Sequence, residues 1–221
     1  MKTILIVAAH PDDEVLGCGG LIARESRRGS LCHVLILTDG SSGRYDAEKA
    51  AAHGQNIEAA NRVLGTASVR CEDFPNQRLE TVPVTAIAQC IEAHLERIAP
   101  SAVYTHHSGD LNRDHRIACE ATMVACRPYP SQTVREIYSY NVPSSTEYNA
   151  VSVDTVFVPS VFVDISDTLE TKVEALLAYD TECHPFPHPR SPESLRGHAR
   201  YWGLTVGMAD AEPFRLIREI R

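Results

Sequence analysis

The chain has 221 residues, 43% hydrophobic and 23% charged, with a formal net charge of -8. Such a composition suits one globular domain over residues 1–221, long enough to bury about 70% of the surface its unfolded form exposes. The negative balance repels phosphates and so argues against nucleic-acid or anionic-membrane partners, leaving room only for a local basic pocket.

The apolar run from Ile4 to Ala9 is stopped by His10-Pro11-Asp12-Asp13-Glu14. It is too short for a signal sequence with its cleavage site and far too short to span a bilayer, so a cytoplasmic protein is expected. Thr3 to Ala9 reads as a buried strand, Val15 to Arg28 as a helix and His33 to Thr38 as a second strand. Ala47 to Leu64 comes next as a helix, Ser68 to Phe74 as a third strand, Val84 to Ile98 as a helix and Ala102 to His106 as a fourth strand. Apolar strands alternating with helices predict an α/β fold, a Rossmann-like three-layer sandwich around a mostly parallel central sheet.

Beyond Asp114 the pattern predicts a helix to about Arg127, strands at Val134 to Tyr138 and Thr155 to Asp164, and helices at Thr168 to Tyr179 and Glu193 to Val206. Phe214 to Ile217 is a late strand, and the Pro- and His-rich stretch from Cys183 to Pro192 reads as a loop across the site. The seven cysteines (18, 32, 71, 90, 119, 126 and 183) form no CxxC pair, and most of them read as small buried hydrophobes. Gly17, Gly19 and Gly20 fall inside a helix, where they allow close packing and make no dinucleotide loop.

In open α/β sheets ligands bind beyond the carboxyl ends of the strands. Three polar loops fall there: His10 to Glu14, Asp39 to Arg44, and His106 to His115. In the first, Pro11 keeps His10 extended, and Asp12 and Asp13 lie at a helix start that favours ionised carboxylates. His10 and Asp13 read as metal ligands and Asp12 as a general base; the alternative is a set of N-terminal capping residues. In the loop after the fourth strand, His115 completes three protein ligands with one position left open, the arrangement of a catalytic metal. Asp114 beside it is placed in the catalytic set as a group that orients a ligand or the site's water. His106 and His107 either join the metal or line the cleft without touching it.

His10-Pro11-Asp12-Asp13-Glu14 together with Asp110-Leu111-Asn112-Arg113-Asp114-His115 resembles the LmbE/PIG-L family of N-acetylglucosaminyl deacetylases, and Thr38-Asp39-Gly40 fits as well. The resemblance extends over nearly the whole chain. It implies a Rossmann-like fold and a zinc ion on His10, Asp13 and His115, with Asp12 as the base that takes a proton from the attacking water. It further implies a small N-acetylated sugar as substrate, with acetate and a free amino sugar as products. Two histidines and a carboxylate also suit Fe2+, so zinc rests on the resemblance alone. Where well-known members carry a histidine, this chain has Asn112, which donates hydrogen bonds but is no general acid. Asn112 is therefore assigned to substrate binding, and the leaving amine's proton to Asp12 or His188.

Phe186-Pro187-His188-Pro189-Arg190-Ser191 resembles a late motif in part of that family, which makes His188 a second catalytic candidate and Arg190 a substrate-binding one. Arg44 reads as substrate-binding or as a solvated loop arginine. Asn76, Gln77 and Arg78 lie on the same sheet edge within reach of a sugar, and Trp202 is expected in the core. Two other functions stay open: a metal-dependent phosphoesterase, which commonly needs two bridged metals, and a non-catalytic sugar-binding module. Apolar surface near the late strands leaves self-assembly open, and no residue selects one N-acetylated compound.

Overall fold

A strand that feeds two apolar layers must be hydrophobic wherever it is buried, and the first strand is so from Ile4 onward. Ile4, Ile6 and Ala8 pack on one face of the sheet and Leu5, Val7 and Ala9 on the other, all 0–2% exposed. The computed structural model describes residues 1–38 and 47–221, with the backbone alone described for 47–53. Its strands are β1 (Thr3–Ala8), β2 (Leu31–Thr38), β3 (Ser68–Phe74), β4 (Ala102–His106), β5 (Glu136–Tyr140), β6 (Val161–Asp164) and β7 (Ala211–Glu219). Its helices are α1 (Asp13–Arg27), α2 (Ala47–Leu64), α3 (Val84–Ile98), α4 (Arg113–Ala125), α5 (Leu169–Leu177) and α6 (Pro192–Thr205).

The seven strands form one sheet in the order β3-β2-β1-β4-β5-β7-β6. The pairs β1–β2, β1–β4, β2–β3 and β4–β5 are parallel, and β7 runs antiparallel to both β5 and β6. Residues of α1, α2, α5 and α6 fill one face, and residues of α3 and α4 fill the other. This is the expected three-layer sandwich. The chain winds outward from β1 to β3, then restarts on β1's opposite side at β4. The carboxyl ends of β1 and β4 thus flank the topological switch point where such sheets hold ligands.

Bounds of α2, β3, α3 and β4 agree with the periodicity, and differences concentrate in the late half. β5 begins at Glu136, not Val134, because the Val134 N–H is taken by Gln132 Oε1 at 3.2 Å. Only Val161–Asp164 of the predicted Thr155 to Asp164 strand is extended, since Thr155 and Val156 close a turn on Ser152. β7 is longer than Phe214 to Ile217 and contains Pro213, where β5 has already ended and one side of the ladder has no partner to lose. Pro192 is not loop but the first residue of α6, behind the N-cap Ser191. Val151, Val153 and Val158 stand 87%, 92% and 57% exposed ahead of β6, in the region where apolar surface was expected.

The glycines of α1 do permit close packing. A Cβ on Gly17 would lie 2.2 Å from the ring of Tyr140 on β5, whose hydroxyl donates to the Val7 carbonyl at 2.8 Å. Gly19 and Gly20 face Lys172 on α5 and Ile165 ahead of it, so two of the three serve packing around a neighbouring helix and not the sheet.

Trp202 is not in the core. It is half-buried on α6 and lines a cavity of about 240 Å3 together with Phe157, Asn141 and His198. Trp202 Nε1 donates to His198 Nε2 at 3.1 Å, which requires a neutral acceptor nitrogen. Burial, with Lys172 nearby, lowers the His198 imidazole to about 4. The unfolded chain takes up this proton near 6.5 and the folded one only near 4, so the contribution is complete above about pH 6.5 and drains away as pH falls toward 4. Discounted for the ring's partial exposure, it amounts to about 1–2 kcal/mol. Urea titrations at pH 7 and pH 4.5 should show a smaller acid loss for His198→Gln than for the wild type; equal losses would contradict it.

Candidate metal centre and active site

β1 delivers His10 to the switch point, and the turn into α1 sets the directions of the carboxylates at positions 12 to 14. The His10 N–H donates to Asp13 Oδ2 at 2.8 Å and the Asp12 N–H to Glu14 Oε2 at 3.1 Å. Asp13 and Glu14 therefore tie down the turn, as capping residues do. Asp12 does not cap: it occupies the N-cap position at φ 99° without a side-chain cap hydrogen bond. A non-glycine residue held there costs about 1–3 kcal/mol and persists only where its surroundings over-determine it. The strain aims the Asp12 carboxylate away from the helix that its neighbours serve.

His10, Asp13 and His115 come together, with ligating atoms all within 4.8 Å of one another. His10 Nδ1 lies 3.2 Å from His115 Nε2 and 3.3 Å from Asp13 Oδ2, and His115 Nε2 lies 3.3 Å from Asp13 Oδ1. Asp13 Oδ1 is buried and has no hydrogen-bond partner among the described residues. A buried carboxylate oxygen left bare, with two imidazole nitrogens facing it, is a costly arrangement unless a cation fills the gap. Burial opposes protonation of His115, yet Asp13 and Asp110 override it and push the imidazole up to about 10. The surroundings call for positive charge at this point, and the donor set fits a divalent cation with a coordination position left open.

Both histidines are steered from behind. His10 Nε2 lies 3.0 Å from Asp114 Oδ2, while Asp114 Oδ1 accepts the Leu79 N–H at 3.0 Å. His115 Nδ1 lies 3.2 Å from Asp110 Oδ1, and Asp110 in turn accepts the hydroxyls of Ser145 and Thr146. Each ring thus turns one nitrogen to a carboxylate and the other to the centre, which fixes tautomer and orientation. Asp114, expected among the catalytic residues, sits behind His10. Sequence places Asp110 at the head of the second motif without a role of its own, and carries no signal for Ser145 or Thr146. Asp110→Asn should weaken metal affinity about 10–100-fold with the fold intact. Competition against a chromogenic chelator measures it, and wild-type affinity would remove Asp110 from that role.

The remaining candidates are scattered. Asn112 is the N-cap of α4: its Oδ1 accepts the Asp114 N–H at 2.9 Å, and its Nδ2 reaches Gln77 Oε1 at 3.4 Å. Gln77, in the left-handed region at φ 57°, also brings its amide nitrogen to 3.3 Å from His10 Nε2. Fully buried, His106 accepts the Ala9 N–H on Nε2 at 2.9 Å and stacks on His115 at 4.0 Å, so its Nε2 is committed to the backbone and its ring supports the centre by packing. His107 turns away to the Thr155 carbonyl at 3.0 Å.

Arg190 lies on Asp12, not in open space for a substrate: Nη1 meets Asp12 Oδ2 at 2.5 Å and Glu182 Oε2 at 3.1 Å, while Nε donates to Ser144 Oγ at 2.7 Å. The Cys183 to Pro192 stretch therefore does reach the site, through Arg190. His188 faces elsewhere: it accepts the Arg190 N–H on Nδ1 at 3.1 Å and packs on His184. Arg44, like Asp39 and Gly40, falls outside the described residues. An open cleft of about 310 Å3 lies beside the centre, bordered by Gln77, Glu80, Asn112, Asp114, Ser144 and Ser145.

A three-donor set fit for a divalent cation, with an acidic neighbour, thus lies at the switch point of a doubly wound sheet, where enzymes of this architecture hold their ligands. Residues 5–126 match the family model described as PIG-L, GlcNAc-PI de-N-acetylase, and the chain belongs to that family. An Escherichia coli K12 protein named as an uncharacterized deacetylase is 31% identical over 149 residues, spanning 65% of this chain and 76% of that one. Diacetylchitobiose deacetylase of Thermococcus kodakarensis is 26% identical over 229 residues, spanning 98% and 84%. Among solved structures, a conserved protein of Thermus thermophilus superposes with a TM-score of 0.79 at 27% identity, covering 100% of this chain and 97% of that one.

Proposed function

We propose that this protein is a zinc-dependent hydrolase that removes the acetyl group from an N-acetylated sugar or sugar conjugate. The observation that carries the reading is the bare, buried Asp13 Oδ1 enclosed by His10 and His115, with Asp12 next to it in a strained conformation. Names borne by relatives supply the substrate class, diacetylchitobiose being one such compound. A cytoplasmic location is part of the proposal: Cys18, Cys32, Cys119 and Cys126 are buried thiols, as in a reducing compartment, and among the described residues no helix is long and apolar enough to cross a membrane.

His10, Asp13 and His115 would hold the ion. When bound, zinc supplies electrophilic polarisation of the acetyl carbonyl and brings a water's pKa toward neutrality. Asp12 would accept the proton of the attacking water on its carboxylate as attack on the acetyl carbon begins. Burial lifts the Asp12 carboxyl well above its ordinary range, against the opposing pull of Arg190. With Asn112 committed to capping α4 and His188 turned toward His184, the leaving amine recovers its proton from Asp12. Gln77 and Asn112 face the cleft with amide groups suited to sugar hydroxyls, and about 310 Å3 is small-molecule scale.

Acetate release from a panel of N-acetyl sugars and nucleotide sugars, with and without a chelator, tests the reading. Chelator-sensitive release from at least one compound is expected. No release from any of them by zinc-loaded protein would leave the phosphoesterase and the non-catalytic module as the competitors.

A further inference from the structure

A second group of metal-binding side chains shares no residue with the first. Glu72 on the edge strand β3 faces Cys90 and His94 on α3, and the ligating atoms of the three lie within 4.8 Å of one another. A spacing of four residues puts Cys90 and His94 side by side on one flank of α3. The adjoining flank, with Ile87, Ile91 and Leu95, is sealed against the sheet. His94 Nε2 contacts Glu72 Oε1 at 2.8 Å, and the side chains of His94 and Glu72 are 9% and 32% exposed, so the group is anchored but reachable from solvent.

We propose that Glu72, Cys90 and His94 form a second cation site, selective for a borderline or soft divalent ion such as Zn2+. Thiolate, imidazole and carboxylate are all zinc ligands, and the thiolate excludes hard ions that demand oxygen alone. In the metal-free protein, burial and the Glu72 charge push the Cys90 thiol up to about 11, so it is protonated. Ion binding releases that proton to solvent. Arg97 opposes binding: its Nη2 lies 2.6 Å from His94 Nδ1 and can only donate, which puts the ring proton on Nε2. For Nε2 to take the ion, that proton moves to Nδ1 and the exposed Arg97 side chain swings away.

Titration of chelator-stripped full-length protein with Co2+ tests the site, because the first centre offers only nitrogen and oxygen donors. Near-ultraviolet thiolate-to-cobalt charge transfer is expected in the wild type, with a second equivalent of ion bound. The band should vanish in Cys90→Ser and His94→Ala, persist in Cys71→Ser, and appear at severalfold lower Co2+ in Arg97→Gln. Mg2+ should not compete. Circular dichroism establishes that each variant is folded, and acetate release by Cys90→Ser should equal that of the wild type. Absence of the band in the wild type, or its survival in Cys90→Ser, overturns the second site and leaves the first untouched.

Discussion

Asp13→Ala should bind no ion at the His10–His115 centre and should lose at least about three orders of magnitude in acetate release. The magnitude comes from the reaction: electrophilic stabilisation of the developing oxyanion by a bound metal is worth several kcal/mol, and about 4 kcal/mol corresponds to roughly a thousandfold in rate. Asp13 is the one anion among the three donors, and its removal leaves His10 and His115 facing each other at 3.2 Å. Two imidazoles without a carboxylate make a poor site for a divalent ion.

Asp13 also accepts the His10 N–H and sits 3.4 Å from His106 Nε2, so the substitution disturbs the turn as well as the metal. Chelated wild-type protein separates the two effects, because it loses the ion and keeps the turn. It should show the same loss of turnover and recover on adding zinc. Full acetate release by Asp13→Ala, or by chelated protein, would sink the metal-dependent reading.

How far residues alone could be read depends on the range of the physical cause. A strand such as β1, buried on both faces, announces itself as a continuous apolar run from Ile4 to Ala8, and α3 announces itself by Ile87, Ile91 and Leu95 at helical spacing. The convergence of His10, Asp13 and His115 was legible because all three come after parallel strands that end at one edge of the sheet. Less legible were the short antiparallel β6 and the start of β5, where a side-chain bond from Gln132 decides a boundary that no periodicity encodes.

The supporting contacts of the centre were the least legible. Ser145 and Thr146 act on His115 only through Asp110, and hydroxyl residues in a loop carry no mark of such a role. Arg190 and Asp12 meet across 178 positions of sequence, so the late motif drew attention to Arg190 without saying which group it would touch. His188 stands two residues away on the same loop and faces His184, a difference set by the course of the backbone and not by residue type.

Asp12→Asn should keep the ion at full occupancy and lower turnover by about 10²–10⁴-fold, the range general-base catalysis contributes. None of the three donors is altered, and asparagine is among the few residues that tolerate the left-handed conformation held here at φ 99°. Its side-chain oxygen still accepts from Arg190 Nη1, so the loop that carries Arg190 stays docked. The capacity to take a proton is lost. Asp12→Ala is the less informative variant, since it leaves Arg190 with Glu182 and Ser144 alone and mixes a loosened loop with a missing base. A single-turnover measurement with metal analysis of the same sample decides the matter. Undiminished release by a fully loaded Asp12→Asn protein would mean that the proton leaves by another group, and the strain at Asp12 would need a purpose other than catalysis.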